Sequence, residues 1–202
     1  LVLPPQRKAP ERHHPAMPYE DVPAFMQELR ANNCTSARSL ELLIHTACRT
    51  SEVLDARWDE FDLAEAIWTI PASRMKAGKV HRIPLTTPMV RLLESLPRVG
   101  EFVFPGLVRG RPLSNMAMAQ LLKRMKRLGI TVHGFRSSFR DYAGDVAQVP
   151  REIAEQALAH QVGSDVERAY RRSDALKLRR ELMEQWSAYL DPQGADGELP
   201  RP

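Results

Sequence analysis

Helical periodicity runs through most of this chain and is interrupted once, by three short runs of β type: FDL at 61–63, AIWTIP at 66–71 and VHRIPL at 80–85. Runs this short, separated by turn-like segments, pair as antiparallel neighbours. The connection between the last two, ASRMKAGK, is polar and holds a glycine, which makes it a hairpin loop. Around this insert the apolar residues return at helical spacing. Val22, Phe25, Met26 and Leu29 share one face of a helix over 19–32, and Leu40, Leu42, Leu43, Ile44 and Ala47 belong to a second over 36–49. Thr50 or Ser51 caps a short third helix to Arg57, with Glu52 in its first turn. Thr87 followed by Pro88 opens a helix to Leu96. FVF at 102–104 reads as an isolated strand, and Ser114 caps a helix to Leu128. Helices over 133–146, 150–158, 165–172 and 174–190 follow. The pattern predicts one mainly α domain with a small antiparallel sheet, an α+β fold.

Length agrees: 202 residues make one domain, or one with a small appendage. A hydrophobic fraction of 43% and a charged fraction of 27% exclude a mainly disordered, collagen-like or disulfide-stapled chain. No apolar stretch approaches the roughly 18 residues of a membrane span. Residues 1–18 alternate prolines with basic residues and read as a Pro-rich basic linker, leaving 19–190 as the folded domain and 191–202 as a flexible tail. The opening LVLPPQRKAPERHHP has no apolar core and so is no signal peptide. It has no initiating Met either, and the chain reads as part of something longer. Cys34 and Cys48 are too few and too far apart for a zinc ribbon or a CxxC motif; both read as buried free thiols in a reducing cytoplasm. Of 29 basic residues all but six are arginine, and the net charge is +4. The planar guanidinium suits phosphate oxygens, which makes nucleic acid a candidate partner.

Four segments carry the candidate chemistry. In HGFRSSFRDYAGDV, at about 100° per residue, Phe135, Phe139, Tyr142 and Val146 gather on one side and His133, Arg136 and Arg140 on the other. An imidazole and a guanidinium one turn apart can grip a phosphate; the plainer reading is a solvated polar face. In LAHQVGSDVERAYRRSD, His160 ends a helix and Tyr170 has Arg168, Arg171 and Arg172 close in sequence. A phenol needs such charge to become a nucleophile near neutral pH. In HTACRTSEVLDARW, Arg49 stands where a new helix offers free N–H groups to an anion, and Glu52 can orient it or support the cap. In the hairpin SRMKAGKVHRIPL, Lys76 and Lys79 sit on a loop from which a lysine reaches a ligand. No carboxylate pair is spaced for Mg²⁺, and the His and Cys spacings do not fit zinc.

Taken together and in this order, TACRTSEVL, RMKAGKVHRIPL, HGFRSSFRDYA, and LAHQVG followed by ERAYRR resemble the boxes of the tyrosine recombinases, specifically the phage-type integrases, over about residues 15–190. The resemblance implies their catalytic-domain fold and a cofactor-free, metal-free reaction on double-stranded DNA attachment sites. It implies site-specific recombination, the integration or excision of mobile DNA through a covalent 3′-phosphotyrosine. Arg49 and Arg136 would bind the nonbridging oxygens of the scissile phosphate. Lys76 would protonate the leaving 5′ oxygen, His133 would accept or orient the nucleophile's proton, His160 would hydrogen-bond the phosphate, and Tyr170 would attack. It further implies a tetramer of protomers on DNA and a monomer without it, a cytoplasmic, nucleoid-associated location, and a final helix whose Leu182, Trp186 and Tyr189 couple subunits if they do not fold back in cis. Asp55 and His45 depart from the pattern, where relatives carry Gly and an aliphatic residue. A type IB topoisomerase-like relaxer and a non-catalytic DNA-binding module are the alternatives.

Overall fold

A computed structural model describes residues 15–160 and 175–192. The 165–172 helix, Tyr170 and the tail from 193 therefore lie outside the described residues. A 3-10 turn at Tyr19–Asp21 leads into α1 (Val22–Arg30), whose Pro23 sits where its missing N–H costs nothing. The predicted face of Val22, Phe25, Met26 and Leu29 is fully buried. Helix α2 (Thr35–Thr46) ends three residues before the periodicity does, because Ala47 takes a left-handed conformation (φ 50) that stops the helix. Cys34 is the extended residue before α2 and is exposed; only Cys48 is buried. Helix α3 (Thr50–Leu54) begins one residue earlier than predicted, with Arg49 rather than Thr50 or Ser51 at its cap.

The three β runs form one antiparallel sheet in the order β1 (Phe61–Asp62), β2 (Ile67–Ile70), β3 (His81–Pro84). Trp68 pairs with Ile83 and Ile70 with His81, so alternate residues of β2 point into the core. Phe61 stacks on its cross-strand partner Trp68 at 5.0 Å. Thr86, not Thr87, caps α4 (Thr87–Ser95), and FVF makes only a single bridge, Arg57 to Phe102. Helix α5 (Ala117–Arg124) is shorter than its apolar pattern. Ser114 accepts the Met116 N–H ahead of it, and Lys126 (φ 58) turns the chain behind it. Helices α6 (Gly134–Asp145), α7 (Arg151–Ala157) and α8 (Leu176–Leu190) complete the described body.

Helix α8 folds back on its own domain. It packs on α1, α2, α6, α7 and β3. Trp186 is fully buried, donates its indole N–H to Ile44 O at 2.9 Å, and meets Tyr142 at 4.9 Å and Phe139 at 5.7 Å. Arg180 reaches the carbonyls of Leu85 and Ala66 beside the sheet. The stripe of Leu182 and Trp186 is thus spent in cis, one of the two arrangements the sequence leaves open. Residues 15–18 also pack, although their prolines read as linker. Thr131 donates its backbone N–H to Pro15 O, Ser138 donates its hydroxyl to Met17 O, and Met17 is buried. Gly134 makes this approach possible: a Cβ there would lie 2.3 Å from Pro15 O. Among the described residues no helix is long and apolar enough to cross a membrane.

Candidate active site

Two helix ends meet beneath α6. Helices α2 and α7 each finish with carbonyls that no intrahelical N–H can reach. Arg136, in the first turn of α6, takes one from each: its Nη1 donates to Ala47 O and its Nη2 to Leu158 O at 2.8 Å. Arg49 Nη2 reaches Ala159 O at 3.5 Å, and His81 of β3 hydrogen-bonds the Ala157 carbonyl. Three successive carbonyls at the end of α7 are thus held by three side chains from different parts of the fold. Ala47 and Ala159 are both left-handed (φ 50 and 51), a conformation that costs a non-glycine residue about 1–3 kcal/mol and persists where surrounding contacts enforce it.

Arg136 is only 4% exposed, so this member of the HxxR pair is covered rather than solvated. Burial, then the neighbouring charge of Arg49, lowers its pKa from the ordinary arginine value. Arg49 is half-buried and held by Glu52, which performs both roles the sequence leaves open. One carboxylate oxygen caps α3 by accepting the Arg49 backbone N–H at 2.7 Å, and the other accepts Arg49 Nη1 at 2.8 Å. His160 stands against Arg136, its Nε2 2.9 Å from Nη2, and its Nδ1 is 2.6 Å from Glu155 Oε2.

His133 is exposed, at the cap of α6. With Arg49, Ser51 and Asn115 it lines a cleft of about 510 Å³. Lys76 is exposed on the hairpin loop. The base of that loop is tied to α3: Arg74 donates to Glu52 O and to Asp55 O, each at 2.7 Å, and Met75 is buried. The structure therefore brings together Arg49, Arg136 and His160 directly. It sets His133 on the rim of the cleft that Arg49 lines, and suspends Lys76 from the helix that Arg49 starts. Tyr170 lies outside the described residues.

Burial, then Glu52, pushes the Cys48 thiol up to about 12, which leaves it unreactive between the two arginines. His45 fills its unexpected position as a fully buried ring, pushed down to about 3 by burial and then by Arg30. Asp55 ends α3 and is exposed. Sequence reasoning missed Glu155 and His81. Glu155 sits in an ordinary helical turn, and its ion pair with Arg140 (2.7 Å) spans two helices, beyond any i,i+4 pattern. His81 is covered only once β3 packs on α7 and α8.

A helical body, a small sheet whose hairpin loop is tied to the first arginine's helix, and arginines clamped on helix ends make up the tyrosine recombinase catalytic-domain fold. The integrase of mycobacterium phage Brujita shares it, with a TM-score of 0.65 at 22% identity over 95% of this chain and 62% of that one. So does a lambda integrase dimer bound to a COC′ core site, with a TM-score of 0.58 at 17% identity over 96% of this chain and 52% of that one. Residues 16–177 match the phage integrase family, and the chain belongs to it. It is 35% identical to prophage integrase IntA of Escherichia coli K12 over 89% of this chain and 45% of that protein. It is 31% identical to the integrase of Shigella phage Sf6 over 90% of this chain and 49% of that protein. The chain thus spans about half the length of these curated relatives.

Proposed function

We propose that the protein carries out site-specific recombination, integrating or excising mobile DNA by cleaving and rejoining strands through a 3′-phosphotyrosine. The observation that carries this reading is the cluster of Arg49, Arg136 and His160, in which two guanidiniums are fixed beside one imidazole at the ends of α2 and α7. Phosphoryl transfer is catalysed by positioning and by neutralising equatorial charge, and guanidiniums held in advance do both. The Tyr170 oxygen attacks phosphorus and gives its proton to His133. The bond to the 5′ oxygen breaks, and Lys76 protonates that oxygen as it leaves. Arg49, Arg136 and His160 hold the nonbridging oxygens. In rejoining, a 5′ hydroxyl attacks the phosphotyrosine, whose bond energy replaces an external energy source.

The partners in this reading are duplex attachment sites and further protomers, four on DNA, in the cytoplasm at the nucleoid. The relatives' printed names support DNA and further protomers as partners: two are integrases of phage or prophage, and the lambda enzyme is bound to a core site as a dimer. The test is a nicked suicide duplex incubated with the full-length protein. Wild type forms a covalent protein–DNA adduct, and Tyr170→Phe binds equally and forms none. DNA binding without any adduct identifies a binding module. Relaxation of supercoiled plasmid by a monomer, without synapsis, identifies a topoisomerase-like relaxer.

A further inference from the structure

Glu155 belongs to none of the sequence boxes, yet it joins the recombinase cluster to a third arginine, Arg140. Its Oε1 accepts Arg140 Nε at 2.7 Å and its Oε2 lies 2.6 Å from His160 Nδ1. Its own backbone carbonyl accepts the His160 N–H at 2.9 Å. The charged groups facing it are Arg140 from α6, Arg151 one turn back on α7 with Nε at 3.9 Å, and His160 itself, behind which stands Arg136. Burial raises the Glu155 pKa, but its hydrogen bonds to Arg140 and His160, and their charges, outweigh that and hold the carboxyl below its ordinary value. It is therefore an acceptor with no proton of its own.

The two neighbours of His160 leave one arrangement of its ring. A guanidinium only donates, so Nε2 must accept from Arg136; a carboxylate only accepts, so Nδ1 must carry the proton. We infer that Glu155 is the positioning residue of the site, fixing His160 as the Nδ1–H tautomer with Nε2 turned to Arg136 and the scissile phosphate. A nonbridging phosphate oxygen also only accepts. To bond it, Nε2 must release the Arg136 N–H and take a proton from solvent, to which His160 is open; the ring becomes imidazolium, and the Glu155 carboxylate lies against the new charge. Arg140 keeps the second carboxylate oxygen occupied and so sets the angle at which Glu155 meets the ring.

The inference rests on the phosphoryl-transfer reading for its kinetic consequence only; the tautomer is a property of the protein alone. Long-range ¹H–¹⁵N correlation of the His160 ring, assigned with His160→Gln, should show a neutral ring protonated at Nδ1. Glu155→Ala should broaden these ring correlations, because the Nδ1 proton loses its acceptor and only Arg136 still holds the ring. In single-turnover cleavage of a nicked suicide duplex by the full-length protein, Glu155→Gln should slow adduct formation about tenfold to a hundredfold, the usual weight of such supporting partners. In a His160→Ala background the same substitution should change the rate less than about twofold, because its target is gone. An Nε2–H ring in wild type overturns the inference, and that spectrum needs no variant at 155. Equal slowing in both backgrounds overturns it as well, since it would mark Glu155 as a packing residue. Failure of wild type to form any adduct refutes the recombinase reading instead, and the ring tautomer still decides the role of Glu155.

Discussion

Gly134→Ala should destabilise the domain, against the helix propensity of the two residues. Gly134 is the first residue of α6, where alanine would gain at most the roughly 1 kcal/mol by which it betters glycine in a helix interior. At position 134 the new Cβ would meet Pro15 O at 2.3 Å and Ala16 Cα at 2.8 Å. Both are backbone atoms, so no side chain can swing away, and residues 15–17 must lift off α6. Lifting gives up the hydrogen bonds of Thr131 N and Thr131 Oγ1 to Pro15 O and of Ser138 Oγ to Met17 O. Each is worth about 0.5–1.5 kcal/mol. It also exposes the Met17 side chain, worth about 1.5–3 kcal/mol. Set against the propensity gain, the net loss is about 2–6.5 kcal/mol. Urea unfolding reads the total, and hydrogen exchange at the Thr131 amide reports the local release. A variant as stable as wild type or more so, with that amide still protected, would refute the close approach.

Arg49→Ala and Arg136→Ala should each slow strand cleavage by about 10²–10³, with smaller losses in DNA binding, because other phosphates stay contacted. Only Arg136→Ala should also lower the urea midpoint markedly, since it strips the buried carbonyls of Ala47 and Leu158 of their donor. Stability should fall on acidification: His45 and His81 are each pushed down to about 3 in the fold, so the unfolded chain binds more protons below the ordinary histidine value. Their contribution is complete above about pH 6.5 and is lost toward pH 3, at up to about 1.4 kcal/mol per pH unit for each ring. Unfolding midpoints across that window should steepen with acid and flatten in His45→Gln. Lys76→Ala should cleave ordinary DNA about 10²–10⁴ times slower yet cleave DNA with a bridging 5′ sulfur at near wild-type speed, because a thiolate leaves without an acid. Arg49→Ala should gain nothing from the sulfur, and rescue of Lys79→Ala instead would reassign the proton.

The sheet was legible because three short β-type runs are separated by turn-like segments, and the structure then buries Trp68 and Ile70 of β2. Helix α1 was legible from its apolar residues at helical spacing. The failures are all places where distant chain closes over local pattern. Arg136 reads as surface because a helical wheel cannot see Ala47 and Leu158 arriving beneath it. The true end of α2 is hidden because alanine, unlike glycine or asparagine, gives no signal of a left-handed residue. Pro15 and Met17 read as linker because their partners, Thr131 and Ser138, are more than a hundred residues away. The candidate site was visible as a set of boxes in order. Glu52 was legible as the partner of Arg49, but Glu155 was not, since it gains meaning only once α6 and α7 lie side by side.

The most direct test of the account is the chemistry of the trapped adduct. The full-length protein is reacted with a nicked suicide duplex, the DNA trimmed by nuclease, the protein digested, and the nucleotide-bearing peptide sequenced by mass spectrometry. The account predicts one modified peptide, with the nucleotide on Tyr170 through its 3′ phosphate and a free 5′ hydroxyl on the released strand. An adduct on another residue, or one joined through a 5′ phosphate, would contradict it.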